Sequence, residues 1–311
     1  MPELWRTLSS ARMSWEKCMP EGHPLIHSPS RRMCFLDKIK MMKHQKGIVM
    51  LRIAVCVKQV PSDKITVSDE DGSLVRSEMK SSMNMYDYAA LETALHIKEQ
   101  AGGSIDVFTM GPKHAAETLK ESLAYGADRA FLLNDRAFAG ADVLATAYTL
   151  SCALRKAGPY DVVVCGLKTT DGDTAQVGGE LAADLHVMYV PGVCAALEAH
   201  GTFIKTKILT DDQIITIKAQ LPVLMSVEPS ACTFRVPTLV QRLQSRKKEI
   251  QVWDAESIGA DRAKTGQAGS ATKVVKIITN SQEKKVKLLR LSAEETVSLI
   301  EERKNAWIKT S

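Results

Sequence analysis

The sequence predicts an α/β fold: a doubly wound parallel sheet with a β-rich flank and a C-terminal helical arm. Three observations predict it. Short runs of branched apolar residues alternate with stretches of helical period through the first two-thirds of the chain. Gly, Pro and Asp punctuate nearly every boundary. Beyond residue 191 the alternation stops and four β-rich runs follow one another with turns between them.

The first strand is 51–57, an apolar run of the kind buried on both faces of a parallel sheet. Asp87 caps the first helix, in which Ala90, Leu91, Ala94, Leu95 and Lys98 recur at helical spacing. A second strand at 105–109 is closed by Met110, Gly111 and Pro112, and a helix over 113–124 ends near Gly126. The third strand is 130–133; its helix, 142–156, is stopped by Gly158 and Pro159. The fourth strand is 161–165 and its helix 175–185. The runs 192–197, 203–208, 214–218 and 223–227 read as strands that extend or flank the sheet. Residues 228–250 read as a long, weakly patterned loop, and the Gly, Ala, Ser and Thr of 259–273 read as a flexible linker. Ser292 and Glu295 form a capping box that opens a last helix, running to about Lys304.

Three regions are therefore expected. Residues 1–49 are a disordered extension or a misassigned start, since they carry scattered Met and Trp with no sustained apolar period, and Met50 directly precedes the first strand. Residues 50–250 form the α/β domain. Residues 251–311 form a linker and the helical arm.

Composition removes several functions. The first 49 residues hold nine Lys or Arg against four acids, so the whole net charge of +5 lies there and the folded body is neutral. Charge thus offers no support for nucleic-acid binding. No stretch approaches the roughly 20 apolar residues of a spanning helix, so membrane insertion is not expected. Seven cysteines without a C-x-x-C pair fit a reducing cytoplasm better than a disulfide framework. No local Ser-His-Asp, Cys-His or metal-ligand pattern exists, so no residue is assigned as catalytic, and any chemistry must come from a cofactor.

The sharpest motif runs from Gly166 to Gly179: G-L-K-T-T-D-G-D-T-A-Q-V-G-G. It follows a buried strand and opens a helix. In a doubly wound sheet the ligand crevice lies at the C-terminal strand edge, where the strand order reverses. Unpaired amides at the helix start, together with Gly172, Gly178 and Gly179, suit an anion. Thr170, Thr174 and Gln176 offer hydrogen bonds, Lys168 a cation, and Asp171 and Asp173 are expected to tie the loop's backbone or cap the helix. An ordinary Gly/Asp turn explains the motif about as well. Asn84, Met85, Tyr86 and Asp87 form a helix entry from which Asn84 can also read an adenine edge or a ribose hydroxyl. Cys56 and Met110 end their strands as small or flexible packing residues.

Several stretches together resemble the electron transfer flavoprotein beta-subunit family. They are I-A-V-C-V-K-Q-V-P from Ile53 to Pro61, S-M-N at Ser82 to Asn84, T-M-G-P from Thr109, A-Y-G-A-D-R from Ala124, and D-G-D-T-A-Q-V-G from Asp171 to Gly178. The resemblance spans about 50–253. It implies an adenine-nucleotide-binding, Rossmann-like domain paired with an alpha subunit that carries the redox flavin. It places Cys56, Asn84 to Asp87, Met110 and Gly166 to Gly178, with Ala175 and Val177 among them, around the nucleotide. In one branch that nucleotide is AMP. The D-G-D-T-A-Q-V-G form belongs to a bifurcating branch that binds FAD, so FAD is expected here and AMP is the alternative. A loop at about 229–246, tipped by Val236, Pro237, Thr238 and Leu239, is implied to dock dehydrogenase partners, and the last helix to wrap the alpha subunit. The departures are Val227-Glu-Pro-Ser where the family usually has N-E-P-R, and Gly179 in place of a usual proline. The rival readings are a stand-alone adenine-nucleotide-binding regulatory protein of the same fold, and an adenylating enzyme, whose S-G-G-x-D-S loop is missing.

Overall fold

A computed structural model describes residues 50–61, 81–273 and 289–308. The proposed extension at 1–49 lies outside them. The core is a nine-stranded sheet. Its strands are β1 (Leu51–Cys56), β4 (Gly103–Met110), β5 (Arg129–Leu133), β6 (Val162–Gly166), β7 (Met188–His200), β8 (Phe203–Leu209), β9 (Ile214–Gln220), β10 (Val223–Val227) and β11 (Ile250–Trp253). Across the sheet they run β11-β5-β4-β1-β6-β10-β7-β8-β9. Two short strands, β2 (Gln59–Pro61) and β3 (Ser81–Met83), pair antiparallel beside it.

The strands from β11 to β7 are all parallel, whereas β8 and β9 turn back as hairpins. Alternation with period two sends side chains to two cores. Ile53, Val55 and Val57 face one way, with α1 (Met85–Ala101) and α2 (Ala116–Tyr125) packed over them through Leu91, Leu95, Ile97, Leu119 and Leu123. Ala54 and Cys56 face the other, under α3 (Val143–Ala157) and α4 (Val177–Leu185), which contribute Leu150, Leu154, Leu181 and Leu185. The chain thus winds from β1 through β4 to β5 beneath one pair of helices. It then crosses back over β1 to β6 beneath the other pair. The reversal falls between β1 and β6, whose last paired residues are Cys56 and Cys165.

Three expectations are corrected. The run 223–227 is not a flank: β10 lies wholly buried between β6 and β7. Residues 228–250 are not an irregular loop throughout. Thr238 and Gln241 make a reciprocal capping box that starts a short helix, α5 (Leu239–Ser245). Residues 259–273 are not a flexible linker. The Asp142 amide donates to Ser270 Oγ and the Thr272 amide to Asp142 Oδ2, tying the segment to the N-cap of α3. The short helix α6 (Gly266–Gly269) starts at Gly266, where a Cβ would lie 2.1 Å from the Ala137 carbonyl oxygen. Small residues there permit close packing, which composition alone reads as flexibility.

The last helix, α7 (Ala293–Ile308), starts at the expected box. The Ser292 amide donates to Glu295 Oε2 at 2.7 Å, and the Glu295 amide to Ser292 Oγ at 3.2 Å. Its Val297 and Ile300 are exposed. Among the described residues no helix is long and apolar enough to cross a membrane.

Candidate nucleotide crevice

The candidate crevice is the place where the loops after β1 and β6 leave the sheet edge on either side of the strand reversal, the position ligands take in doubly wound sheets. Its walls are held together from α1. Asp87, 4% exposed, does not cap its own helix as expected. Its Oδ2 accepts the Lys58 amide at 2.7 Å and its Oδ1 accepts the Gly166 amide at 3.2 Å. The N-cap is Asn84, fully buried. Its side chain makes no cap to the helix, donating from Nδ2 to the Lys168 carbonyl at 2.9 Å and accepting the Thr170 amide at 3.3 Å. The Asn-x-x-Asp pair therefore shapes the loop after β6, with the Asn84 side chain shared between loop backbone and the Asp87 carboxylate.

Gly166 is required for this closeness. A Cβ there would fall 2.3 Å from Asp87 Oδ1 and 2.7 Å from the Tyr86 Cβ. Beneath the start of α4, Gly178 sits on the Cys165 sulfur and the Tyr189 ring, whose hydroxyl shares a 2.9 Å hydrogen bond with Ser226 Oγ.

The loop's outer half carries strained backbone. Asp173 and Ala175 both adopt left-handed φ, at 51° and 55°, at a cost of about 1–2 kcal/mol each for residues with a Cβ. Such alternation turns neighbouring amides toward one side, the concavity that holds anions. Gln176 follows as N-cap of α4 and makes no side-chain cap. The first intrahelical bond is Glu180 to Gln176, so the amides of Val177, Gly178 and Gly179 have no partner within the helix.

Asp171 and Asp173 do not cap α4; Asp171 ties the loop to itself through Thr169 and its own backbone, and both acids also pair with lysines. Asp171 takes Lys58 Nζ on both oxygens, at 2.7 and 2.8 Å, bridging the two loops. Asp173 pairs with Lys168 Nζ at 2.8 Å, and the same ammonium lies 5.8 Å from the Tyr86 ring centre. Each loop lysine is matched by a loop acid, so the bare amides are the part of the loop left to meet an anion. Lys58 was missed by sequence reasoning, although its position directly after β1 was the signal. Cys56 ends β1 beside Cys165, the penultimate residue of β6. Burial, then Asp87, pushes the Cys56 thiol up to about 12, and burial pushes Cys165 well above its ordinary value. Both are neutral packing residues. Met110 packs half-buried on the second core.

Apart from Met110 on the second core, the predicted nucleotide residues fall into three groups. Cys56, Asn84, Tyr86, Asp87, Gly166, Lys168 and Thr170 are brought together, and Asp171 to Gly178 form the outer lip. Met85 projects half-exposed from the helix start.

The proposed docking segment is anchored rather than loose. Arg235 reaches Glu92 on α1 from its Nε at 2.8 Å and Glu99 from NH1 at 2.8 Å, and Phe234 meets Tyr88 edge-on. Pro237 is buried. Val236 is 79% exposed and Leu239 72%, and Val240 and Leu243 extend the apolar face along α5. Val236 and Leu239 therefore do not pack on their own domain.

The electron transfer flavoprotein domain model matches residues 71–258. The chain belongs to the electron transfer flavoprotein beta-subunit family. It is 36% identical to the electron transfer flavoprotein subunit beta of Thermoanaerobacterium thermosaccharolyticum, over 82% of this chain and 98% of the relative. It is 36% identical to Protein FixA of Azorhizobium caulinodans, over 74% and 85%. It is 37% identical to the caffeyl-CoA reductase-Etf complex subunit CarD of Acetobacterium woodii, over 72% and 82%. The family's matched region includes the Asn84–Asp87 entry, the lip at Asp171–Gly178 and the anchored segment up to β11.

Proposed function

We propose that this beta subunit holds an adenine nucleotide in the β1/β6 crevice, FAD in preference to AMP, and with an alpha subunit passes electrons between dehydrogenases and acceptors. The observation that carries the reading is the uncapped start of α4 beside left-handed Asp173 and Ala175, a row of amides at the strand reversal. The residues fit the phosphate-bearing half of such a ligand. Amides of Val177 and Gly178 would take the phosphates, with Gly178 admitting close approach and the helix start adding its partial positive charge. Lys58 and Lys168, already matched by acids, would set the lip's shape more than its charge. A bound flavin would supply the one- and two-electron chemistry. The chain's own residues would position it, keep water from its buried side and orient the crevice.

The likeness to CarD, a subunit of a reductase-Etf complex, supports a bifurcating arrangement, as does the D-G-D-T-A-Q-V-G lip. Nucleotides extracted from the purified heterodimer and identified by mass test the assignment. Two FAD per heterodimer is the expected result; one FAD and one AMP would replace FAD by AMP in this crevice.

Docking of dehydrogenases falls to Val236, Leu239, Val240 and Leu243, held rigidly by Arg235, with Pro237 and Thr238 shaping the turn. A rigid apolar tip loses little entropy on binding. Leu239→Ser is expected to lower kcat/KM with a partner dehydrogenase roughly five- to thirty-fold, the about 1–2 kcal/mol of a contributing interface residue, with heterodimer yield and flavin content unchanged. Steady-state kinetics with the dehydrogenase as variable substrate would show it. The exposed Val297 and Ile300 of α7 suit burial against the alpha subunit.

A further inference from the structure

The two crevice walls meet at one buried carboxylate. Asp87 accepts one amide from each loop, Lys58 from the β1 side and Gly166 from the β6 side. The Gly166 wall lies close against it, since a methyl at Gly166 would fall 2.3 Å from Oδ1. We propose that Asp87 is a positioning residue whose carboxylate struts the nucleotide crevice, fixing the separation of its walls when ionised and loosening one wall when protonated. The inference rests on the reading of this crevice as a nucleotide site.

A carboxylate offers acceptors on both oxygens, whereas a carboxylic acid turns one of them into a donor. Neither amide can accept a proton in return, and the protonated oxygen is a poorer, uncharged acceptor, so protonation weakens one of the two bonds. The groups facing Asp87 favour that event near neutrality. Burial is the largest influence and raises its carboxyl from 3.8 to about 7, against the two amides, Asn84 and Lys58, which pull the other way. From β1 and β6 the facing groups are Cys56 and Cys165, both neutral thiols. The Lys58 ammonium is turned outward to Asp171, and Lys168 is matched by Asp173. No second acid shares the site's proton among these contacts.

The sign of the linkage separates this role from a merely structural one. An acid raised in the folded state contributes stability that is fully present below its unfolded value and is lost as pH rises through about 7. Acidification through 7 therefore stabilises the fold at this residue while it slackens the crevice. Ordinary destabilisation would move both in the same direction.

The test uses the full-length heterodimer, wild type and Asp87→Asn, loaded with FAD and in parallel with AMP. Release from the crevice is followed between pH 8.5 and 5.5. Wild type is expected to release the nucleotide about tenfold faster at the acid end, the loss of one charge-assisted hydrogen bond. Asp87→Asn, which also keeps a single acceptor toward the amides, is expected to release at the fast rate throughout. A flat wild-type profile, or a variant with the wild-type profile, would overturn the proposal. Hydrogen exchange at the Lys58 and Gly166 amides of the wild type, corrected for chemical exchange, gives a readout that needs neither nucleotide nor variant. Protection at one of them should fall across the same interval; unchanged protection refutes the strut. If neither nucleotide binds but protection does fall, the strut stands and the nucleotide reading fails.

Discussion

Gly166→Ala is expected to empty the crevice. The added methyl would sit 2.3 Å from Asp87 Oδ1, 2.7 Å from the Tyr86 Cβ and 2.9 Å from the Tyr86 carbonyl carbon. These are not the ends of flexible side chains. Tyr86 belongs to the first turn of α1, and Asp87 is bonded to both loops, so relief requires the helix start to move off β6. Overpacking of this kind costs about 1–3 kcal/mol. The displacement also breaks the contact of Gly166 with Asp87. Nucleotide content of the purified heterodimer should drop at least about tenfold, with a modest fall in thermal midpoint. Gly179→Ala is the control, because its Cβ would meet only the Tyr189 ring at an ordinary 3.6 Å. Nucleotide content of that variant should match wild type.

The second large effect is on stability. Asp106, 1% exposed, accepts Arg129 Nε at 2.8 Å and the Tyr160 hydroxyl at 2.6 Å, and its Oδ2 lies 3.7 Å from the Arg52 guanidinium. Burial, then the Asp106 charge, pushes the Tyr160 phenol upward, so it remains a donor. The cluster ties β1, β4, β5 and the approach to β6 near the sheet's other end, away from the crevice. Asp106→Ala leaves two guanidiniums without their shared anion and an orphaned phenol. Removing one partner of a buried pair costs about 3–5 kcal/mol. Partial exposure of both arginines lowers the expectation to about 3 kcal/mol. For a chain of this size that is roughly a 6–12 °C drop in thermal midpoint. Nucleotide affinity below the new midpoint should be unchanged, which calorimetry followed by titration would check.

These two expectations draw on different amounts of the sequence. The four βα units were legible because Val, Ile and Ala runs alternate with helical period, and each boundary carries its Gly, Pro or Asp. That order pointed to the C-terminal edge of the strands as the ligand edge; that the reversal falls between β1 and β6 came only from the strand pairing. The position of β10 was not legible: its five buried residues read equally well as an edge or an interior strand, and only long-range pairing decides. Nor was β11, whose Ile-Gln-Val-Trp is too short to stand out from the basic run before it. The Thr238-x-x-Gln241 box was available as a signal for α5 and was outweighed by Pro229 and Pro237.

At the crevice, residue types pointed to amides and glycines at Gly166–Gly178, and the backbone there is left-handed at Asp173 and Ala175. Side-chain roles were less legible. Asp87 looked like a cap because acids favour helix starts, yet it serves two loops 29 and 79 residues distant in sequence. Asp171 and Asp173 looked like local turn formers, yet they match the two lysines of the lip. Pairings across the sheet edge depend on which strands are neighbours, and local patterns do not carry that information.

The most direct measurement is a structure of the intact heterodimer determined as purified. The account predicts an adenosine-containing molecule at the β1/β6 reversal, its phosphates within hydrogen-bonding distance of the amides between Thr174 and Gly178. A crevice closed by Met110, Tyr86 and the lip's own side chains, with the nucleotide bound elsewhere or not at all, would contradict it.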